Sequence, residues 1–180
     1  MTGIGILIVL LVLPAAVFDI RSRRIPNWLV LAGALLGFAL NWFLYGLAGL
    51  REAALGFALA FGVYFVFHAL HAMGGGDVKL MAAIGSMVGP VSWLQIFLLT
   101  SVLGGVAALL LVAWRGRLRK TFWNVAFILS EICRFRAPYL SRQELDVRSG
   151  QALSLPHGAV VAVAALCFVV IRALYEVHSY

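Results

Sequence analysis

Two aspartates lie next to apolar segments, where a carboxylate is expensive to place and is therefore a candidate functional group. Asp19 ends the first apolar run, and Asp77 follows three consecutive glycines. Two carboxylates that share one site do not ionise together easily, so one keeps a proton and acts as an acid while the other acts as a base. Such a pair activates water and polarises a peptide carbonyl, and its titration belongs to the pair.

The composition predicts an all-α polytopic membrane protein. The chain has 180 residues, of which 63% are hydrophobic and 12% are charged, whereas soluble domains are about 45–50% apolar and about 25% charged. We interpret residues 1–180 as a single integral-membrane domain, with the first apolar run retained as a span. The two cysteines, Cys133 and Cys167, form no C-x-x-C pair, so neither a zinc module nor a disulfide framework is indicated.

Six apolar segments predict about six transmembrane helices, at about 20 residues for each span. The fourth segment is short because Gly89-Pro90 stops it, and residues 46–52 form a short link between the second and third. A long basic loop at about 115–153 follows the fifth segment, and residues 122–132 within it are apolar enough for an interfacial helix. The predicted spans are 3–19, 28–45, 53–72, 77–88, 93–114 and 155–175.

The distribution of positive charge predicts the orientation in the membrane. Of the 14 lysines and arginines, all except Arg51 and Arg172 follow the first, third or fifth segment. The positive-inside rule then places these loops in the cytoplasm and both termini outside. Asp19 and Asp77 consequently lie at the same, cytoplasmic face. The net charge of +7 is explained by these loops, and no nucleic-acid partner is expected.

Simpler roles are available for each element of this pattern. Asp77 at a helix N-terminus can be a cap that favours the helix dipole, and Asp19 can form an ion pair with the arginines that follow it. A glycine run is most often a turn or a close helix crossing. The occurrence of both acids at one face, one of them beside a glycine break, favours a site.

Other polar residues give weaker signals. Lys79 lies two residues after Asp77 and does not share its helix face, so we expect it to reach lipid headgroups or a substrate. His68 and His71 have helical spacing but no evident third metal ligand, and packing roles are more common for such pairs. His157 begins the last span, where a structural role is at least as plausible as a role in the site. No metal ion or other cofactor is expected.

Three motifs carry a resemblance to a known family. The first, Asp19-Ile20-Arg21-Ser22-Arg23-Arg24-Ile25-Pro26-Asn27, resembles the first-aspartate motif of type IV prepilin peptidases. The second, Gly74-Gly75-Gly76-Asp77-Val78-Lys79-Leu80, resembles their GxGD motif, which presenilin-type proteases also carry. The third, Leu155-Pro156-His157-Gly158, is similar to the Pro-Tyr-Gly that starts their last span, with His157 in place of the tyrosine. The resemblance covers nearly the whole chain in order and spacing.

The resemblance implies a six-span GxGD aspartic protease fold in the prokaryotic inner membrane, with Asp19 and Asp77 as the catalytic pair. Such enzymes remove a short basic leader from prepilins at the cytoplasmic face, so the implied partners are prepilin, pilin-like subunits and the lipid bilayer. We assign substrate binding to Gly74, Gly75, Gly76 and Lys79, with the glycines leaving room for an extended substrate backbone.

One departure from the larger family members affects the expected activity. Those members carry zinc-binding cysteine pairs and also N-methylate the new terminus, whereas this chain has no C-x-x-C. We therefore expect a peptidase without zinc and without methylation, resembling the branch that serves tight-adherence (Flp-type) pili.

Three alternatives stay open, and the oligomeric state is not indicated. A preflagellin-type peptidase is a close relative of this family. A small transporter would place its acids near the midplane within paired repeats, which the sequence does not show. A non-catalytic membrane scaffold would tolerate the change of both aspartates to asparagine.

Overall fold

The computed structural model describes residues 2–71, 73–116, 123 and 156–178. These residues form four helices: α1 (Thr2–Ser22), α2 (Asn27–Ala69), α3 (Gly75–Trp114) and α4 (His157–His178). All four are long and apolar enough to cross a membrane, and no strand occurs within the described ranges. The prediction of an all-α membrane protein is therefore confirmed. The predicted interfacial helix at 122–132 and most of the 115–153 loop lie outside the described residues.

Helix α2 folds back on itself at Gly46. This glycine has φ 62° and ψ −142°, outside the helical region, although helical structure continues on both sides of it. The rings of Phe38 and Phe57 lie 5.7 Å apart, whereas a straight helix would separate these positions by about 28 Å. Glycine adopts a positive φ without the steric penalty of a Cβ atom. The link predicted at 46–52 is therefore wrong in extent, because only Gly46 leaves the helical conformation.

Helix α3 folds back in the same way at Gly89, where φ is 75° and ψ is 175°. The Tyr64 ring of α2 lies 6.0 Å from the Phe97 ring and also interacts electrostatically with Asp77. A straight helix would separate positions 77 and 97 by about 30 Å. The two halves of α3 therefore both pack against the second half of α2, as a break at Gly89-Pro90 requires.

The reversal in α3 leaves backbone carbonyls that α2 satisfies. Pro90 has no backbone N–H, so the carbonyl of Ser86 loses its normal helical donor. The buried Asn41 amide Nδ2 donates to the carbonyl oxygens of Ser86 and Met87, each at 3.0 Å, and to that of Gly37 at 2.9 Å. The hydrogen bonds to Ser86 and Met87 satisfy carbonyl groups that the reversal at Gly89 leaves without their helical donors.

A close crossing fixes the first half of α3 against α2. A Cβ atom added at Gly56 would collide with the Gly85 carbonyl oxygen, and one added at Gly85 would collide with the Gly56 carbonyl oxygen. Small residues at such crossings let two helix backbones approach. The same half of α3 buries Leu80, Met81 and Ile84, each with less than 2% of its surface exposed. The turn that carries Asp77 is therefore attached to a rigid, fully packed segment.

The reversals bring several helix ends to one end of the bundle. The start of α2 meets the start of α3 through Asn27 and Lys79, and the end of α2 meets the same region through His68 and Met73. The start of α4 meets the last turn of α1 through the Gly158 N–H and Asp19. The sequence stretches singled out above therefore converge at this end.

Candidate active site

A cavity of about 680 Å³ opens at this end of the bundle, and Asp19 and Asp77 both line it. Its other walls come from residues 23–26, which connect α1 to α2, and from the glycines that precede Asp77. The two aspartates are close enough to interact electrostatically. The structure therefore brings together the two carboxylates that the sequence pairs.

Asp19 is a buried carboxylate with a backbone partner. It lies in the last turn of α1, and only 7% of its surface is exposed. Its Oδ2 atom accepts a hydrogen bond of 2.8 Å from the backbone N–H of Gly158. Gly158 lies in the first turn of α4, where backbone N–H groups have no intrahelical partner and the helix dipole favours negative charge. The N-terminus of α4 therefore places a backbone donor against the Asp19 carboxyl group.

Asp77 lies in the first turn of α3, directly after the glycines. Gly74 precedes the helix with φ −73° and ψ 149°, and its backbone supplies a hydrogen bond to the Asp77 carboxyl group. This first turn is a favourable place for a negative charge. Each aspartate thus has backbone donors at the start of a helix, but the two helices are different.

The resting conformation does not itself require the three glycines. None of them has a positive φ. A Cβ atom would lie 3.5 Å from Asp77 Oδ2 at Gly74, 3.4 Å from His68 Cε1 at Gly75 and 3.5 Å from Ile25 Cβ at Gly76, which are ordinary contact distances. Because all three line the cavity, their small size keeps space open next to Asp77.

Two aromatic residues lie beside the aspartates. Tyr64, only 1% exposed, interacts electrostatically with Asp77, and its ring centroid is 6.1 Å from that of His157. His157 interacts electrostatically with Asp19. Sequence reasoning missed Tyr64, because one tyrosine in an apolar segment has no distinguishing spacing. It singled out His157 only through the motif at the start of the last span.

Lys79 and His68 occupy other positions, and His71 lies after the end of α2. The Lys79 Nζ donates a hydrogen bond of 2.9 Å to Asn27 Oδ1; Asn27 lines the cavity, but Lys79 is not among the described residues that do. The His68 Nδ1 lies 3.0 Å from the Met73 carbonyl oxygen. Across the described ranges, no group of three or more histidine, cysteine, aspartate or glutamate residues is arranged to hold a metal ion.

The arrangement suits hydrolysis by acid and base. Two coupled carboxylates at one cavity can share a proton, so that one accepts a proton from water while the other donates one to a carbonyl oxygen. Arg23 and Arg24 also line this cavity, which adds positive charge at its entrance.

Comparisons with known proteins give a consistent result. The model of the type IV leader peptidase family matches residues 6–109, more than half of the chain. The chain is also similar to a prepilin leader peptidase/N-methyltransferase from Xanthomonas campestris pv. campestris, with 32% identity over 109 residues. That match covers 57% of this chain but only 38% of the relative. No solved structure shows a significant match.

Proposed function

The chain belongs to the type IV leader peptidase family, and on that premise we propose that it is a membrane-embedded aspartic endopeptidase that cleaves the leader from type IV prepilins. The observation that supports this most directly is the placement of Asp19 and Asp77 at one cavity, within electrostatic reach of each other. The substrate class is proposed from the family and from the relative, which is itself a prepilin leader peptidase/N-methyltransferase.

The proposed reaction needs only the two carboxylates and water. A water molecule between them loses a proton to the ionised aspartate and attacks the carbonyl carbon of the scissile peptide bond. The protonated aspartate gives its proton to the carbonyl oxygen, and a tetrahedral intermediate forms. Collapse of that intermediate breaks the C–N bond, and the leaving amine takes up the proton held by the base. As the carbonyl re-forms, a hydroxyl group of the intermediate returns a proton to the other aspartate. The pair then returns to its singly protonated state.

We assign the space beside Asp77 to the substrate backbone. Gly74, Gly75 and Gly76 line the cavity without being required by packing or by φ, so a peptide chain can lie against them. Lys79 was predicted to contact substrate or lipid, and its bond to Asn27 supports a narrower role, in which it holds the start of α2 against α3. Its ammonium remains exposed enough to meet a lipid headgroup.

The proposed topology has six membrane crossings. The reversals at Gly46 and Gly89 divide α2 and α3 into two antiparallel halves each, which together with α1 and α4 supplies six apolar segments. With the positive-inside count, the site then faces the cytoplasm across a prokaryotic inner membrane. A cysteine-accessibility assay tests this: a cysteine at position 24 should react only with reagent that reaches the cytoplasm, and one at position 51 only with reagent outside.

The peptidase proposal is tested by co-expression with a prepilin, followed by sequencing of the N-terminus of the processed product. Asp19→Asn and Asp77→Asn should each abolish cleavage while leaving membrane insertion intact. Glu52→Gln is the matched control, because Glu52 is a carboxylate near Gly89, at the other end of α3's first half. Normal cleavage by either aspartate variant would refute the catalytic pair. If neither substitution had any effect, the result would favour the scaffold alternative.

Two finer points of the proposal concern substrate and product. We assign the chain to processing of Flp-type prepilins, so an Flp-type prepilin should be cleaved faster than a prepilin of another pilus class in the same assay. We also assign it peptidase activity alone, although the relative's name includes N-methyltransferase. Intact-mass measurement of the processed pilin, with a methyl donor present, should show an unmodified N-terminus; a gain of one methyl group would overturn that assignment.

A further inference from the structure

The proposed pair of aspartates leaves one nearby polar atom without a role. The Nε2 atom of His157 is buried and has no hydrogen-bond partner among the described residues. A buried polar atom in that condition loses the hydrogen bonds that it would make to water. Such an atom therefore calls for an explanation in terms of structure or function.

The surroundings of His157 identify a candidate hydrogen-bond acceptor for its Nε2 atom. Its ring lies against Tyr64 of α2, and its electrostatic partner is Asp19 of α1. A carboxylate has about four lone-pair sites, and the Asp19 carboxylate uses one of them for the Gly158 N–H. An imidazole nitrogen without a hydrogen-bond partner among the described residues thus lies near a carboxylate that can accept a further hydrogen bond.

We propose that His157 is a positioning residue for Asp19. In the working state the neutral imidazole donates from Nε2 to the Asp19 carboxylate, next to the bond from the Gly158 N–H. Two hydrogen bonds to the ionised form hold Asp19 as the base that takes the proton from water. Asp77 is then the member of the pair that carries the proton and donates it to the carbonyl oxygen. This inference rests on the proposed function and assigns the two roles within it.

A packing role for the His157 ring makes a different set of predictions from a hydrogen-bonding role. His157→Phe keeps a flat ring against Tyr64 but removes both ring nitrogens. His157→Gln loses the ring but places an amide donor at about the reach of Nε2, whereas His157→Asn places it at about the reach of Nδ1. Packing is therefore rescued by phenylalanine, and hydrogen bonding from Nε2 by glutamine alone.

The experiment measures kcat and KM for prepilin cleavage by the purified full chain in detergent. We expect His157→Phe and His157→Asn to lower kcat by about ten- to a hundredfold, the range for a hydrogen bond to a charged group. Their KM should stay within about twofold of the wild-type value, because substrate contacts are unchanged. His157→Gln should retain most of the wild-type kcat.

Each other outcome overturns the inference. Wild-type kcat for His157→Phe, or a glutamine variant as slow as the asparagine variant, excludes a donor role for Nε2. If His157→Phe fails to fold, the comparison of glutamine with asparagine decides alone. Asp19→Asn measured in the same assay separates the two proposals: normal cleavage by that variant refutes the proposed function, whereas its loss together with an unaffected His157→Asn refutes only the role of His157.

Discussion

Gly158→Ala should impair the proposed enzyme by displacing Asp19 without touching Asp19 itself. A Cβ atom at position 158 would lie 3.0 Å from Asp19 Oδ2, 3.1 Å from its Cβ and 3.2 Å from its Cγ. These distances are too short for ordinary carbon–oxygen and carbon–carbon contacts, so either the carboxylate or the start of α4 must move. The 2.8 Å hydrogen bond from the Gly158 N–H lengthens in both cases.

The expected loss of kcat can be estimated from the strength of the hydrogen bond between the Gly158 N–H and Asp19. A hydrogen bond to a charged group is worth about 1.5–3 kcal/mol, and each 1.36 kcal/mol is a factor of about ten in rate. If the bond holds Asp19 as the base, its loss should lower kcat about ten- to a hundredfold. Folding should suffer less than activity, because alanine is a better helix former than glycine by about 0.5–1 kcal/mol.

The assay is prepilin cleavage by purified protein, with thermal unfolding measured on the same preparation. Gly62→Ala is the matched control, since it makes the same change inside α2, where the new Cβ would have no atom within 4 Å beyond its chain neighbours and the adjacent backbone of its own helix. It should cleave at the wild-type rate. A Gly158→Ala protein that unfolds at the wild-type temperature and also cleaves at the wild-type rate would refute the reasoning that α4 positions Asp19.

Three further predictions concern the frame around the site. Asn41→Leu should lower stability by about 1–3 kcal/mol in thermal or denaturant unfolding, because it removes the donor for the carbonyls at the α3 reversal; unchanged stability would show that another group satisfies them. Gly76→Ala should unfold like the wild type but raise KM for prepilin several-fold. Unaltered kinetics would show that the glycines only form a turn and do not make room for the substrate. Lys79→Met and Asn27→Leu should have similar effects on stability, with the double variant no worse than either single one, as expected for two partners of one bond; additive effects would separate their roles.

The sequence was sufficient to predict the class of fold and the end of the bundle where the acids lie. Long apolar segments predict membrane-spanning helices, and the Gly89-Pro90 pair predicts a break between two of them. The same reasoning misjudged the link after residue 45, because a single glycine at position 46 reverses the chain while helix continues on both sides. A run of polar residues is not needed for a turn when one residue can adopt a positive φ.

The contacts between side chains of distant segments could not be predicted from the sequence. Nothing in the spacing of Tyr64 distinguishes it from the other aromatic residues of α2, and only the fold places it between the α3 and α4 ends. The partner of Lys79 was likewise hidden, since its spacing from Asp77 excludes a shared helix face but does not identify Asn27. Such contacts depend on the crossing geometry of helices, which Gly56 and Gly85 fix by letting two backbones touch.

The position of Asp19 explains why the start of α4 belongs to the site. An aspartate near the C-terminal end of α1 faces the unfavourable end of that helix dipole, whereas Asp77 occupies the favourable first turn of α3. The first turn of α4 offsets this placement, because the Gly158 N–H donates a hydrogen bond to the Asp19 carboxyl group. In the proposed assignment, in which Asp19 is the base, any change that detaches α4 from α1 should therefore remove that role before it disturbs Asp77.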